Sequence, residues 1–345
     1  MTDLADYTTL GLGGPAKTFV TASTEADLID AVRAADAAGE PVLLIGGGSN
    51  LVIADDGFPG AVVHVASRGV RYAAADGHVD VTVAAGEDWD DVVAAVVAEG
   101  LAGLECLSGI PGRAGATPIQ NVGAYGHEVA EVITAVRVFD RRGGQIRILP
   151  NERCRFSYRT SLFKAGEPGR YLVLDVTFRL ARQARSMPVT YAELASELDV
   201  EQGERAGVSE VRSGVLNIRA RKGMLLDPGD PDSRSAGSFF TNPVLSAGEF
   251  ARVAAAAGGP VPRFDAGGGR VKVPAAWLIE RAGFGKGYGA PGRARVSSKH
   301  TLALVNAGGA TTADLLALAR EIRDGVRAAF GVTLEPEPTL VGVAL

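Results

Sequence analysis

Three consecutive glycines stand directly after a short apolar run, so that Val42–Asn50 reads VLLIGGGSN. The run Pro41–Ile45 lies between glycines and has the length and composition of a buried strand. Backbone that carries no Cβ can turn sharply and aim successive N–H groups at an anion such as a diphosphate. The same residues also suit an ordinary strand-end turn, and this segment alone leaves both readings open. Glycine is gathered rather than dispersed: the 45 glycines cluster at 46–48, 109–126 and 267–269. Such clusters mark places where backbone comes close to something else.

Around these clusters the pattern alternates between helix and strand. Thr24–Ala38 predicts a helix with Thr24 as N-cap, a Leu28, Ile29, Val32 stripe and Gly39 as its stop. Further helices are expected at 88–99, 209–221, 275–282 and 311–330. Strands are expected at 61–66, 79–84, 135–140, 171–180, 302–306 and near 339–343. No repeat of 20–50 residues is visible. Boundaries are weakest near 185–190 and 224–236; in the latter stretch Pro, Gly and Asp accumulate as in a loop. The fold class is mixed, α+β, and the 345 residues suggest about two domains, with one or three also open.

Composition narrows the function. A formal net charge of −5 argues against nucleic-acid binding, which needs a basic face. The two cysteines, Cys106 and Cys154, make no CxxC pair and no metal-ligand spacing with the four histidines, so neither a disulfide scaffold nor a metal site is expected. No apolar run reaches membrane length and the first ten residues have no apolar core, so a cytoplasmic protein without membrane insertion is expected.

Several short motifs fail on context. Gly11–Ala16, GLGGPA, fits the dinucleotide pattern in letters but has a polar N-terminus before it and a β-rich KTFVT after it. His127-Glu128 begins like a zincin helix, but position 131 is Glu, and His127 reads as a surface or pocket-lining residue. There is no P-loop lysine signature and no G-x-S-x-G elbow.

Four further segments carry chemistry. Gly109–Gly126, GIPGRAGATPIQNVGAYG, packs five glycines and two prolines into 18 residues. It suits a loop wrapped round an extended ligand, with Thr117, Gln120 and Asn121 adding hydrogen bonds. The alternative is a flexible surface loop, against which its apolar punctuation speaks. Arg155–Lys164, RFSYRTSLFK, alternates cations with aromatics and hydroxyls. Arg159 there can fork onto a carboxylate or enolate, or the segment is a strand with solvated charges. Ser238 in SAGSFFTNP has no histidine base beside it. It can deliver a proton to a basic carbon, or simply occupy a turn. Glu335 and Glu337 in LEPEPTL fall on one side if the segment is extended; they stabilise charge, relay a proton or are merely solvated.

In combination and order, from GLGGPA to LEPEP, these motifs resemble the UDP-N-acetylenolpyruvoylglucosamine reductase family, in its larger three-domain first type. The GGGSN turn is shared with flavoproteins of the vanillyl-alcohol-oxidase type. The resemblance implies an FAD-binding module of two subdomains, 1–66 plus 331–345 and 67–223, and a substrate domain at 224–330. It implies non-covalent FAD held by Gly46, Gly47, Gly48, Ser49 and Asn50, and by Gly109, Pro111, Gly112, Ala116, Thr117, Gln120, Asn121, Gly123, Ala124 and Tyr125. Ser238 matches the family's general acid, Glu337 the carboxylate beside it, and Arg159 the arginine that polarises the substrate carboxylate. Tyr158, Tyr191, Arg219, Lys222, Asn242 and Lys286 match substrate contacts. NADPH as hydride donor, a UDP-sugar sharing its site and a monomeric state are implied as well. His300 stands where some relatives have glutamine and receives no role. The other readings are another flavin oxidoreductase of this fold and a non-catalytic nucleotide-sugar binder.

Overall fold

The computed structural model describes residues 2–345. The backbone gathers into two compact units, one made of 17–47 and 59–221, the other of the N-terminal residues to Ala16 with 48–58 and 222–345.

The first unit is built on a six-stranded sheet. Its order is Gln145–Pro150, Ile133–Asp140, Tyr171–Arg182, His78–Ala84, Val70–Ala75, with Leu101–Ala102 also paired to Tyr171–Arg182. All these pairings are antiparallel. Leu172 through Val176 are buried without alternation, as in a strand covered on both faces. In His78–Ala84, Val79, Val81 and Val83 are buried and their neighbours are not, so this strand has one wet face. Helix Trp89–Ala98 buries Trp89, Val92, Val93, Val96 and Val97. The Trp89 Nε1–H donates to Leu107 O at 3.1 Å, which leaves no polar atom of the buried indole unsatisfied.

A three-stranded sheet orders Ala16–Ala22, Phe58–Val65 and Val42–Ile45, the last two parallel. Helix Glu25–Ala37 follows the first of these strands because Thr24 and Asp27 cap each other reciprocally, at 3.1 and 3.0 Å. Helices Ala192–Leu198 and Val208–Arg221 close a small satellite core containing Cys106, Val189, Leu194, Val211, Val215 and Ile218.

In the second unit, antiparallel strands Ser235–Ser238, Ala303–Asn306 and Ala294–Val296 make one sheet. Helix Thr312–Phe330 presents Leu315, Ala319, Ile322, Val326 and Phe330 to a core shared with Phe239, Phe240, Leu278 and Leu304. A capping box of Thr311 and Asp314 starts it, and Gly331 at φ +69 stops it. The last strand, Thr339–Val341, pairs in parallel with Leu51–Ile53, residue 340 opposite 52.

Three readings of the sequence are corrected here. The segment at 155–164 is no strand. Arg155 and Arg159 take positive φ, Ser157 bridges Thr160, and Leu162–Gly166 is a π-helical turn, so alternation does not govern which side chains are wet. His127 is neither exposed nor lining but 7% accessible, held between two acceptors. Helix Ala247–Ala257 was not expected, because its alanines give little stripe and Val253 is its one buried residue. The Ser246/Glu249 box that starts it was nevertheless present in the sequence. GLGGPA lies between a 3₁₀ turn, Leu4–Tyr7, and a strand, not between a strand and a helix. Among the described residues no helix is long and apolar enough to cross a membrane.

Asp140 is a fully buried carboxylate of the first unit. It accepts from Arg170 Nε at 2.9 Å and Nη2 at 2.7 Å and from the Arg142 and Gly143 amides, and Arg170 holds its carboxyl down to about 2. A carboxyl depressed by folding adds stability that is complete above its unfolded pKa, about 3.9, and is lost as pH falls through the folded one. Asp140→Ala should cost about 3 kcal/mol at neutral pH, read as a lower urea midpoint, and the gap to wild type should close as pH falls from about 4 towards 2. An equal midpoint for both proteins at neutral pH would show that the pair contributes nothing.

Candidate active site

In the first unit the strand Val42–Ile45 delivers Gly46 and Gly47 against the GIPGRAG stretch. A Cβ on Gly47 would stand 2.8 Å from Gly112 Cα, and one on Gly46 would stand 3.1 Å from Arg113 Cγ. Any side chain at 47 would therefore push two backbones apart. The GIPGRAG side is fixed from beneath: Trp89 N donates to Gly112 O, Ala114 N to Glu87 O and Gly115 N to Ala85 O. Asp90 receives Gly109 N at 2.6 Å and both terminal nitrogens of Arg212, at 2.6 and 2.9 Å. Burial opposes the charge of Asp90, but Arg212 and the Gly109 amide together keep its carboxyl below the ordinary value. On the carbonyl side of Gly109, Arg219 donates from Nε at 3.1 Å; this arginine is buried and its pKa is lowered by desolvation.

Arg113 was passed over in the sequence, although Gly112 before it was singled out. It is the one charged residue in Gly109–Gly126, and that is the signal that would have found it. Its Nη1 is 3.4 Å from Asp88 Oδ2, and its Nε is buried with no hydrogen-bond partner. His64 is affected too: burial lowers its pKa, and Arg113 and then Arg68 lower it further. Two bare glycine amides, an orphaned guanidinium N–H and a locally positive field are complementary to a diphosphate. The residues therefore fit the phosphate-bearing part of a dinucleotide such as FAD.

The end of the glycine-rich loop forms a two-residue-strand hairpin, Gly123–Ala124 on His127–Glu128, with Tyr125 at φ +52. Asn121 is fully buried, and its side chain is spent on this hairpin. Nδ2 donates to Glu128 Oε2 and Ser157 O, and Oδ1 accepts from Ala130 N. Its side chain thus frames the loop. Thr117 likewise donates its hydroxyl to Ala114 O, and Gln120 accepts from Lys164 at 3.3 Å. Arg159 donates from Nη2 to Gly123 O at 2.8 Å, with its Cζ 5.4 Å from the Tyr158 ring centre. Its φ of +54 belongs to the left-handed region, a conformation a bulky residue holds only when its surroundings impose it. The rings of Tyr125 and Tyr191 meet edge to face at 5.5 Å, and burial pushes the Tyr125 hydroxyl up to about 12.

In the second unit, Gly48 at φ +57 abuts the Tyr7 carbonyl so closely that no Cβ fits. Asn50 Nδ2 donates to Glu337 O at 3.4 Å, and Thr339 N donates to Asn50 O at 2.9 Å. The same C-terminal stretch meets Ser238's neighbours: Glu337 N donates to Phe239 O at 2.9 Å, Thr241 N to Glu335 O at 3.0 Å, and Phe240 bridges Pro336. Ser238 is the last residue of its strand, opposite Ala303, with Gly237 at φ +71 before it. The sequence-predicted Ser49–Asn50, Ser238 and Glu337 are thus drawn to one backbone crossing. Asn242 Oδ1 accepts from Ala275 N at 2.8 Å and starts helix Ala275–Arg281, whereas Lys286 is exposed in the turn after it.

Known proteins resemble both halves of the chain. Residues 16–149 match the FAD binding domain profile, and 230–341 match the profile for the UDP-N-acetylenolpyruvoylglucosamine reductase C-terminal domain. The UDP-N-acetylenolpyruvoylglucosamine reductase of Thermobifida fusca is 56% identical over 349 residues, covering 99% of this chain and 97% of that protein. The one of Streptomyces coelicolor is 59% identical, covering 99% and 90%. The crystal structure of the UDP-N-acetylenolpyruvylglucosamine reductase of Thermus caldophilus superposes with a TM-score of 0.64 at 27% identity, over 99% of this chain and 97% of that one. With a diphosphate cradle in one unit, the serine and glutamate brought to one crossing in the other, and this likeness along the full length, the chain belongs to the UDP-N-acetylenolpyruvoylglucosamine reductase family of FAD-dependent oxidoreductases.

Proposed function

We propose that the enzyme reduces the enolpyruvyl double bond of UDP-N-acetylglucosamine enolpyruvate to UDP-N-acetylmuramate, with NADPH as the hydride donor, in peptidoglycan precursor synthesis. FAD, when bound, would supply the two-electron chemistry by which hydride from NADPH reaches the terminal carbon of the enolpyruvyl group. The observation that carries the reading is the Glu337 N to Phe239 O hydrogen bond, which fixes Glu337 beside the end of the Ser238 strand.

As hydride arrives, negative charge develops towards the substrate carboxylate. Arg159 is the cation assigned to that charge. Its guanidinium is already oriented by Gly123 O and Tyr158, so little reorganisation is needed when charge appears. Ser238 donates its hydroxyl proton to the neighbouring carbon, with Glu337 stabilising the same state. Tyr158, Tyr191, Arg219, Lys222, Asn242 and Lys286 are assigned to the UDP-sugar. The oxygen of Asn242 is engaged by Ala275, so its amide NH₂ is the group for the ligand. FAD is assigned to Gly46–Asn50 and the 109–126 loop, with Arg113 on its diphosphate. In this reading 1–66 with 331–345 and 67–223 hold the cofactor, and 224–330 carries substrate. NADPH and the sugar occupy one site in turn, in a cytoplasmic monomer.

Three measurements test this. Anaerobic addition of NADPH should bleach the oxidised-flavin band, and the UDP-sugar should then restore it; a flavin that bleaches but ignores the sugar would remove the substrate assignment. Ser238→Ala should keep flavin reduction by NADPH while sugar reduction falls about 10²–10⁴-fold, and normal turnover would remove the acid. Arg113→Ala should weaken FAD binding by about tenfold or more, the worth of one charge-assisted hydrogen bond, as read by flavin fluorescence on titration into apoprotein; an unchanged dissociation constant would return Arg113 to Asp88 alone.

A further inference from the structure

His127 lies at the tip of the Gly123–Glu128 hairpin, 7% exposed, and both ring nitrogens face acceptors. Nδ1 is 2.8 Å from Glu131 Oε2, and Nε2 is 2.8 Å from Pro188 O. A carbonyl has no proton to give. Glu131 has none either: its other oxygen accepts the Glu128 amide at 2.9 Å, and although burial raises its pKa, His127 and that amide bring the carboxyl below its ordinary value. Both ring nitrogens must therefore donate, which only the imidazolium can do.

The hairpin tip meets the Pro188–Tyr191 segment in step. His127 bonds Pro188 O, a Cβ on Gly126 would strike Thr190 Oγ1, and Tyr125 meets Tyr191 edge to face. The far side of the segment is anchored separately, through Met187 N to Glu105 and Val189 N to Glu204 O. The same hairpin holds Arg159 through Gly123 O.

Resting on the function proposed above, we infer that His127 is a positioning residue whose imidazolium fixes the Tyr191 segment to the hairpin that carries Arg159, and so sets the affinity for the UDP-sugar. The charged groups facing it are Glu131 from the Val129–Glu131 turn that follows the hairpin and Glu105 from the Glu105–Leu107 turn. Cys106 lies beside both carboxylates, and burial pushes its thiol upward, so it stays neutral. Burial opposes the charge on His127, but Glu131 and Pro188 O outweigh it, and its pKa is raised. The sign follows: the clamp is complete below the ordinary imidazole value and is lost as pH rises through the raised one.

The test compares wild type, His127→Gln and His127→Ala from about pH 6 to about pH 10, spanning the ordinary imidazole value and above. In wild type, KM for the UDP-sugar should rise about tenfold or more with pH while the NADPH half-reaction does not follow it, since one charge-assisted hydrogen bond is lost. His127→Gln donates one hydrogen bond and has no proton to lose, so its KM should be raised and flat with pH. His127→Ala should be raised further, with kcat little changed. Nitrogen NMR of labelled histidine, assigned by loss of the signal in His127→Gln, should show both ring nitrogens protonated at neutral pH, and amide exchange at 189–192 should quicken in both variants. A neutral ring at neutral pH, unchanged exchange, or the same alkaline rise of KM in His127→Gln would overturn the inference. The NMR and exchange readouts need no substrate, so a wild-type enzyme that ignores the sugar would count against the proposed function and leave the His127 clamp to be judged by them.

Discussion

No side chain fits at Gly47 or Gly48, and much of the site depends on that. Gly47 lies against Gly112 within one unit, and Gly48 against the Tyr7 carbonyl within the other. The chain therefore passes from unit to unit through a stretch that both neighbours oblige to remain bare backbone. Bare backbone is also what an anion-binding turn needs, since consecutive amides are then exposed without Cβ shielding. In the proposed reading, a steric requirement of the fold and a chemical requirement of the cofactor thus fall on the same residues.

The residues proposed for the reaction are set mostly by main-chain partners, each within its own unit. Glu337 is placed by its own N–H to Phe239 O, Asn50 by Thr339 N, and Arg159 by donating to a carbonyl. Main-chain partners have no rotamers to lose, so groups set this way cost less to hold in position than those set by long side chains. Where side chains do the work, Asp90 gathers Gly109 and Arg212, and the buried Asn121 donates from Nδ2 to Glu128 and Ser157 O while its Oδ1 accepts from Ala130 N. The Asp90–Arg212 pair is half-buried, where a charge-assisted bond keeps more of its strength than at the surface.

Much of this was legible in the sequence. Helices with a stripe and a cap, such as Glu25–Ala37 and Thr312–Phe330, announce themselves through periodicity and Ser/Thr–Asp spacing. The order of the glycine turn, the long loop, Arg159, Ser238 and Glu337 carried the family. Edge strands did not show: Gln145–Pro150 and Val70–Ala75 are mostly exposed, so no apolar alternation marks them. Nor did the local conformation at Arg159, because a positive φ at a non-glycine residue is imposed by tertiary contacts. His127 was misread for a related reason: a polar residue in a loop reads as exposed or pocket-lining until its partner, Pro188 O, is brought in by the fold. Arg113 was hidden among glycines that drew attention to the backbone.

The central claim is that one centre passes hydride and proton to adjacent carbons of one substrate, with Ser238 as the proton's last carrier. It is tested most directly by reacting the NADPH-reduced enzyme with UDP-N-acetylglucosamine enolpyruvate in D₂O for a single turnover and locating the label in the product by NMR. Solvent deuterium on the carbon that bears the carboxylate is the expected result; the terminal carbon is not diagnostic, because the transferable hydrogen of reduced flavin is an N–H that exchanges with solvent. Protium on the carboxylate-bearing carbon would contradict it.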